Sequence, residues 1–182
     1  MADRLCVVMD ASPLITACKF GVKGRLVIDY ILDGADVVVA PSVEYEVAEL
    51  GRKYPDGKVA RQRIDGGKMR VERVLQPRWQ KHLAGYAMGD GERDSIELAG
   101  QLASLSAFIA DDYLAFVAAA RLGLRVWMLP DLVTNLVEGG VVASGVGKDV
   151  LVTIAPRYRA GVIAHSQVRL GKIENAHRRS AC

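Results

Sequence analysis

Four short apolar runs, each closed by a turn signal, limit what this chain can fold into more than any other feature. Leu5–Met9 ends at Asp10, Asp36–Ala40 at Pro41, Ala107–Ala110 at Asp111-Asp112, and Arg125–Leu129 at Pro130. Their interiors are continuous rather than alternating, the pattern of strands covered on both faces. Helical patterns lie between them. Ser12 is placed to cap the first, with Pro13 at its first position; Pro41 opens another that carries Val43, Val47 and Leu50 and stops at Gly51. Further helices are read over Glu92–Ser104, over Tyr113–Leu122 with Gly123 as its stop, and over Leu132–Val137 before Gly139-Gly140. Strand and helix alternating through short connections predict an α/β fold of three layers, α/β/α, around a central parallel sheet.

The rest of the chain is less explicit. Residues 52–68 read as a basic loop, or as a helix around Val59–Ile64; Met69–Val74 reads as a further strand. One domain is expected over 1–145, followed by a basic extension over 146–182. At 182 residues one core is expected. With 51% hydrophobic and 25% charged residues, a disordered chain is excluded. No apolar run approaches the roughly 18–20 residues of a membrane span, so no membrane partner is expected. Cys6, Cys18 and Cys182 have no metal-ligand spacing and read as thiols of a reducing compartment, which suggests the cytoplasm.

Net charge is +3, but unevenly spread. Between Arg52 and Lys81 ten Lys or Arg face three acids, and between Pro156 and Cys182 six face one. The remainder is strongly acidic. A basic periphery around an acidic centre suits a polyanionic substrate drawn toward bound cations.

The acids fall at comparable places. Asp10 follows the first strand, Glu46 lies in the first turns of the helix after the second, and Asp111 and Asp112 follow the third. In a parallel sheet these positions share the carboxyl ends of the strands, where ligands bind. Carboxylates converging there repel one another unless a divalent cation intervenes, and an all-oxygen set favours Mg2+ or Mn2+ over zinc. On the helix from Glu92, a rotation of ~100° per residue puts Glu92 inside the apolar arc, Asp94 at its edge and Glu97 on the opposite, solvated side. Taken singly, each acid has an ordinary structural role as cap, turn or surface residue. Their recurrence at one end of the sheet is what points to chemistry.

In this order and spacing, Val-Val-Met-Asp10-Ala-Ser12-Pro-Leu-Ile, Pro41-Ser-Val-Glu-Tyr-Glu46-Val, Gly91-Glu92-Arg-Asp94-Ser-Ile-Glu-Leu-Ala and Phe-Ile-Ala-Asp111-Asp112 resemble the PIN-domain nucleases, in particular the VapC-like toxin ribonucleases of VapBC modules. The resemblance covers about residues 5–142. It implies catalytic roles for Asp10, Glu46, Asp94 and Asp112, with Glu92 and Asp111 as further metal ligands and Ser12 beside Asp10 or a substrate phosphate. It also implies Mg2+- or Mn2+-dependent hydrolysis of single-stranded RNA, with one metal or two, and a homodimer partnered by a cognate antitoxin. Two features depart from the family pattern: Ala110 stands where Thr or Ser is usual, and the C-terminal extension is additional. Trp79 and Tyr54 are candidate stacking surfaces for RNA. Alternatives within the fold are a non-catalytic or a DNA-directed nucleic-acid-binding protein. A phospho-acceptor receiver domain would need a Lys after a late strand, where Pro130-Asp131 stands instead.

Overall fold

The computed structural model describes residues 4–180, with side chains to Asn175. Cys182 lies outside the described residues. Five parallel strands form the central sheet in the order β5-β4-β1-β6-β7: β1 Leu5–Met9, β4 Ala35–Val39, β5 Met69–Val71, β6 Ala107–Ile109 and β7 Val126–Trp127. Val7, Val8 and Met9 of β1, Val38 and Val39 of β4, and Phe108 and Ile109 of β6 are wholly enclosed. That is why these segments carry no polar alternation. Val8 pairs with Val38 on one side and Phe108 on the other, so β1 is the middle of the sheet.

Right-handed crossovers put the connections that run toward β5 on one face of such a sheet and those toward β7 on the other. On the first side lie α1 Ala11–Lys19, α2 Val27–Gly34 and α4 Pro55–Asp65; on the second, α6 Asp90–Gln101 and α7 Tyr113–Arg121. The three-layer α/β/α expectation is met. Between α1 and α2 a hairpin of β2 Gly21–Val22 and β3 Arg25–Leu26 turns at Lys23-Gly24, both with positive φ, as a two-residue hairpin requires.

Several boundaries differ from the sequence expectation. The first helix begins at Ala11, with Asp10 at the capping position, so Ser12 lies inside it. The helix opened by Pro41 does not stop at Gly51. It runs as α3 Pro41–Glu44, a π turn Tyr45–Glu49 and a 3-10 turn Leu50–Lys53. Close approach is served by Gly57 instead: α4 crosses so tightly that a Cβ on Gly57 would lie 2.2 Å from the Gly51 carbonyl oxygen. Between β5 and α6 lies a short helix, α5 Gln80–Leu83.

After β7, α8 Leu129–Glu138 and α9 Ser144–Ile154 lead to the long α10 Ala160–Ser180, which packs on both. The expected boundary at 145/146 falls in the first turn of α9. Ile163, Ser166 and Leu170 of α10 are buried, and Glu174 accepts from Ser144 and Lys148 while Arg169 pairs with Glu138. The extension is thus fastened to the domain by both burial and charge. Among the described residues no helix is long and apolar enough to cross a membrane. Cys6 and Cys18 are free thiols, and burial pushes Cys18 up to about 12, which leaves it unreactive.

Candidate active site at the carboxyl ends of the strands

Asp10 sits where β1 ends, and its backbone N–H continues the ladder by donating to the Ile109 carbonyl at 3.0 Å. The side chain is only 3% exposed. Burial pushes its carboxyl up to about 6, and repulsion from Glu92 and Glu46 adds to the shift. Hydrogen bonds from the Ala11 backbone and the Ser95 hydroxyl, the latter at 3.4 Å, oppose it in part.

Glu46 reaches the same place from the π turn. Its neighbours in sequence are held elsewhere: Arg61 of α4 pairs with Glu44 and Glu49. Glu46 has no ion pair among the described residues. Gly91, at the start of α6, makes the approach possible, since a Cβ there would lie 3.4 Å from Glu46 Oε2. One residue on, Glu92 Oε2 accepts from the Gly89 backbone N–H at 2.7 Å, which fixes the first turn of α6. Asp112 caps α7: its Oδ1 accepts from the N–H groups of Leu114 and Ala115, at 2.8 and 2.9 Å. Oδ2 has no hydrogen-bond partner among the described residues.

Asp10, Ser12, Glu46, Glu92 and Asp112 therefore line one cleft of about 310 Å3, together with Gly89, Asp90 and Gly91. Among the described residues no Lys or Arg lines it. The Ser12 hydroxyl is there, but the hydroxyl that reaches Asp10 is that of Ser95, one turn beyond Glu92 and fully buried. Ser95 was not singled out from the sequence; its three-residue spacing from Glu92 was the available signal.

Two candidates lie elsewhere. Asp94 is turned about 200° round α6 from Glu92 and lines a separate cavity of about 720 Å3, with Ser42, Gln80, Arg93 and Glu97. Asp111 turns inward, where its Oδ1 accepts from the Leu129 N–H at 3.2 Å and its Oδ2 from the Tyr158 hydroxyl at 2.5 Å. Of the consecutive pair it is Asp112 that faces the cleft. Glu97, read as solvated, is 6% exposed and accepts at 2.7 Å from the N–H groups of both Arg78 and Trp79. Trp79 is not a free stacking surface. Its ring lies so close over α6 that a Cβ on Gly100 would approach it to 2.1 Å. Tyr54 is exposed, with the Lys53 ammonium 5.1 Å from its ring centre.

Among the described residues no group of three or more His, Cys, Asp or Glu side chains is placed to hold a metal ion. The donor set still fits a hard cation. Mg2+ is usually held through one or two carboxylates and its own waters rather than by an all-protein cage. A buried Asp10 raised by two acidic neighbours is the kind of group a divalent charge would relieve.

Comparison with curated proteins and with solved structures finds no match. Comparison with protein families matches residues 6–154 to a family described as PIN domain. That span includes all of the central sheet but Leu5 and every acid of the cleft, and the chain accordingly belongs to the PIN-domain family, a family of nucleases.

Proposed function

We propose that the chain is a divalent-metal-dependent ribonuclease that hydrolyses phosphodiester bonds in single-stranded RNA. The observation that carries this reading is the cleft itself, where Asp10, Glu46, Glu92 and Asp112 meet with no basic side chain among them. Asp10, Glu46 and Glu92 would hold Mg2+ or Mn2+, directly or through water, with Asp112 lining the same cleft. The bound cation would supply neutralisation of the scissile phosphate and a more acidic attacking water. Asp10 is fixed by burial and by Ser95, and Glu92 by its own capping bond, so neither needs to reorganise as charge develops. In the hydrolysis, a water oxygen bonds to phosphorus, the P–O ester bond breaks, and the departing oxygen takes a proton.

Basic side chains outside the cleft would guide the strand. Arg61, Arg63 and Arg70 are committed to acids of the protein. Arg52, Lys58, Arg73, Arg78 and Lys81 have no ion pair among the described residues and remain available to phosphates.

The test uses end-labelled single-stranded RNA and protein stripped of metal. Cleavage should be absent, return with Mg2+ or Mn2+, and be lost again in Asp10→Asn at any metal concentration. Cleavage that survives both chelation and Asp10→Asn would overturn the reading.

A further inference from the structure

An all-acidic cleft cannot by itself retain a polyanion, so the strand must be gripped on the walls around it. One wall has the side chains for this. Tyr113 directly follows Asp112 and is 80% exposed. An isolated exposed tyrosine means little, but this one shares a stripe of α7 with Arg121, two four-residue steps along. Arg121 is exposed and has no acid within ion-pair distance among the described residues. Its guanidinium donates to the Tyr86 hydroxyl at 3.4 Å. That bond, with the nearby oxygens of Tyr86 and Tyr113, raises its pKa. Tyr86 stands three residues before Gly89, where the chain enters the rim of the cleft. One aromatic ring and a cation on α7, with the Tyr86 ring of the neighbouring loop against that cation, thus lead away from Asp112.

We propose that Tyr113, Arg121 and Tyr86 form a binding track for single-stranded RNA, with Tyr113 stacking on the base nearest the scissile phosphate and Arg121 taking a phosphate farther along. Eight residues of helix span about 12 Å, so the two side chains reach different nucleotides of one strand. Stacking on an exposed ring needs an unpaired base, so the track selects single strands over duplex. The choice of ligand rests on the ribonuclease reading above.

The experiment measures anisotropy of a labelled ten-nucleotide single-stranded RNA, with Mg2+ present, on the full chain carrying Asp10→Asn to prevent cleavage. Adding Tyr113→Ala should weaken binding by about 5- to 100-fold, while Tyr113→Phe should bind like the parent. Arg121→Gln should flatten the salt dependence by about one phosphate contact. A duplex of the same sequence should be indifferent to Tyr113→Ala. The proposal is overturned if the parent binds no single strand, if Tyr113→Ala binds as the parent does, or if the loss is equal for duplex. Cleavage by the unsubstituted chain, assayed beside this, separates the two readings. Tyr113-dependent binding without metal-dependent cleavage would sink the ribonuclease reading alone, and cleavage with indifference to Tyr113 would sink the track alone.

Discussion

The two ends of the sheet treat aspartate in opposite ways. At the amino end, Arg4, Arg25 and Arg63 meet Asp36, Asp33 and Asp29, each acid with its own guanidinium. The bond from Arg63 holds Asp29 below the usual carboxylate range, even though the pair is partly buried. At the carboxyl end Asp10 has no cation, lies deeper, and is pushed up to about 6. Both are aspartates beside the same strands. What separates them is whether the chain provides the counter-charge or leaves it to something that binds.

The sharpest way to break this contrast is to neutralise one acid at each end. Asp10→Asn should reduce RNA cleavage by roughly a hundredfold or more, the scale lost with one preorganised electrostatic group. Metal-free stability should stay level or rise, because repulsion with Glu46 and Glu92 is relieved. Asp29→Asn should do the reverse. It removes the charge from a two-point hydrogen-bonded pair, with Arg63 Nε at 2.7 Å and Nη2 at 2.9 Å, and should cost about 1–3 kcal/mol with cleavage intact. Denaturant melts run beside the cleavage assay read both. Loss of stability in Asp10→Asn with cleavage preserved would return Asp10 to the role of a helix cap.

The same contrast has a pH signature of opposite sign at each end. Asp10 titrates near 6 when folded against 3.8 as a free side chain, so between those values the folded state binds the extra proton. Its burial therefore costs nothing below about pH 4, and the metal-free protein loses stability as pH rises toward 6, by up to about 3 kcal/mol. Asp29, with a lowered pKa, contributes stability at neutral pH that disappears as pH falls below the ordinary aspartate range. Subtracting the stability profile of metal-free Asp10→Asn from that of the metal-free parent isolates the first effect. A flat difference between pH 4 and 7 would mean that Asp10 is solvated.

The sequence made the carboxyl end legible because strands enclosed on both faces leave a signal that needs no partner to interpret. Val7-Val8-Met9, Val37–Val39 and Ala107–Ile109 could hardly be anything else, and Asp10, Glu46 and Asp112 were found by following them. The choice between Glu92 and Asp94 was not available in that way. They differ by two residues on one helix, about 200° apart, and the rotation of α6 against the sheet decides which one shares the cleft with Asp10. Glu97 was misjudged for a related reason. Helical projection assumes that water covers the side away from the core, but here the backbone at Arg78 and Trp79 covers it. α9 was hidden by its glycines, which weaken a helix locally. Gly147 is there because Val137 of α8 packs where a Cβ would be, at 2.5 Å. The stripe Ile163, Ser166, Leu170 on α10 is buried, but a serine at its centre weakens the apolar signal by which the sequence could show it.

The smallest effect comes from the one pair of neighbours that reproduces the whole contrast. Asp111 and Asp112 are adjacent, yet Asp112 keeps an oxygen for the cleft while Asp111 spends both oxygens on the protein. Burial pushes the Asp111 carboxyl up and, more strongly, the Tyr158 hydroxyl up, so the proton stays on the tyrosine and the bond persists through neutral pH. Tyr158 lies in the link between α9 and α10, which makes this bond a clip from the end of β6 to the C-terminal arm. Tyr158→Phe keeps the ring, removes the donor, and leaves Asp111 only the Leu129 N–H. The cost should be about 1–2 kcal/mol, a drop in Tm of about 2–8 °C in a chain of this size, with cleavage by the folded protein unchanged. Asp112→Asn should give the opposite result, since asparagine still caps a helix: a melt close to that of the parent, with cleavage reduced. Should Tyr158→Phe slow cleavage at a temperature where it is fully folded, Asp111 would belong to the site after all, and the division between the two neighbours would fail.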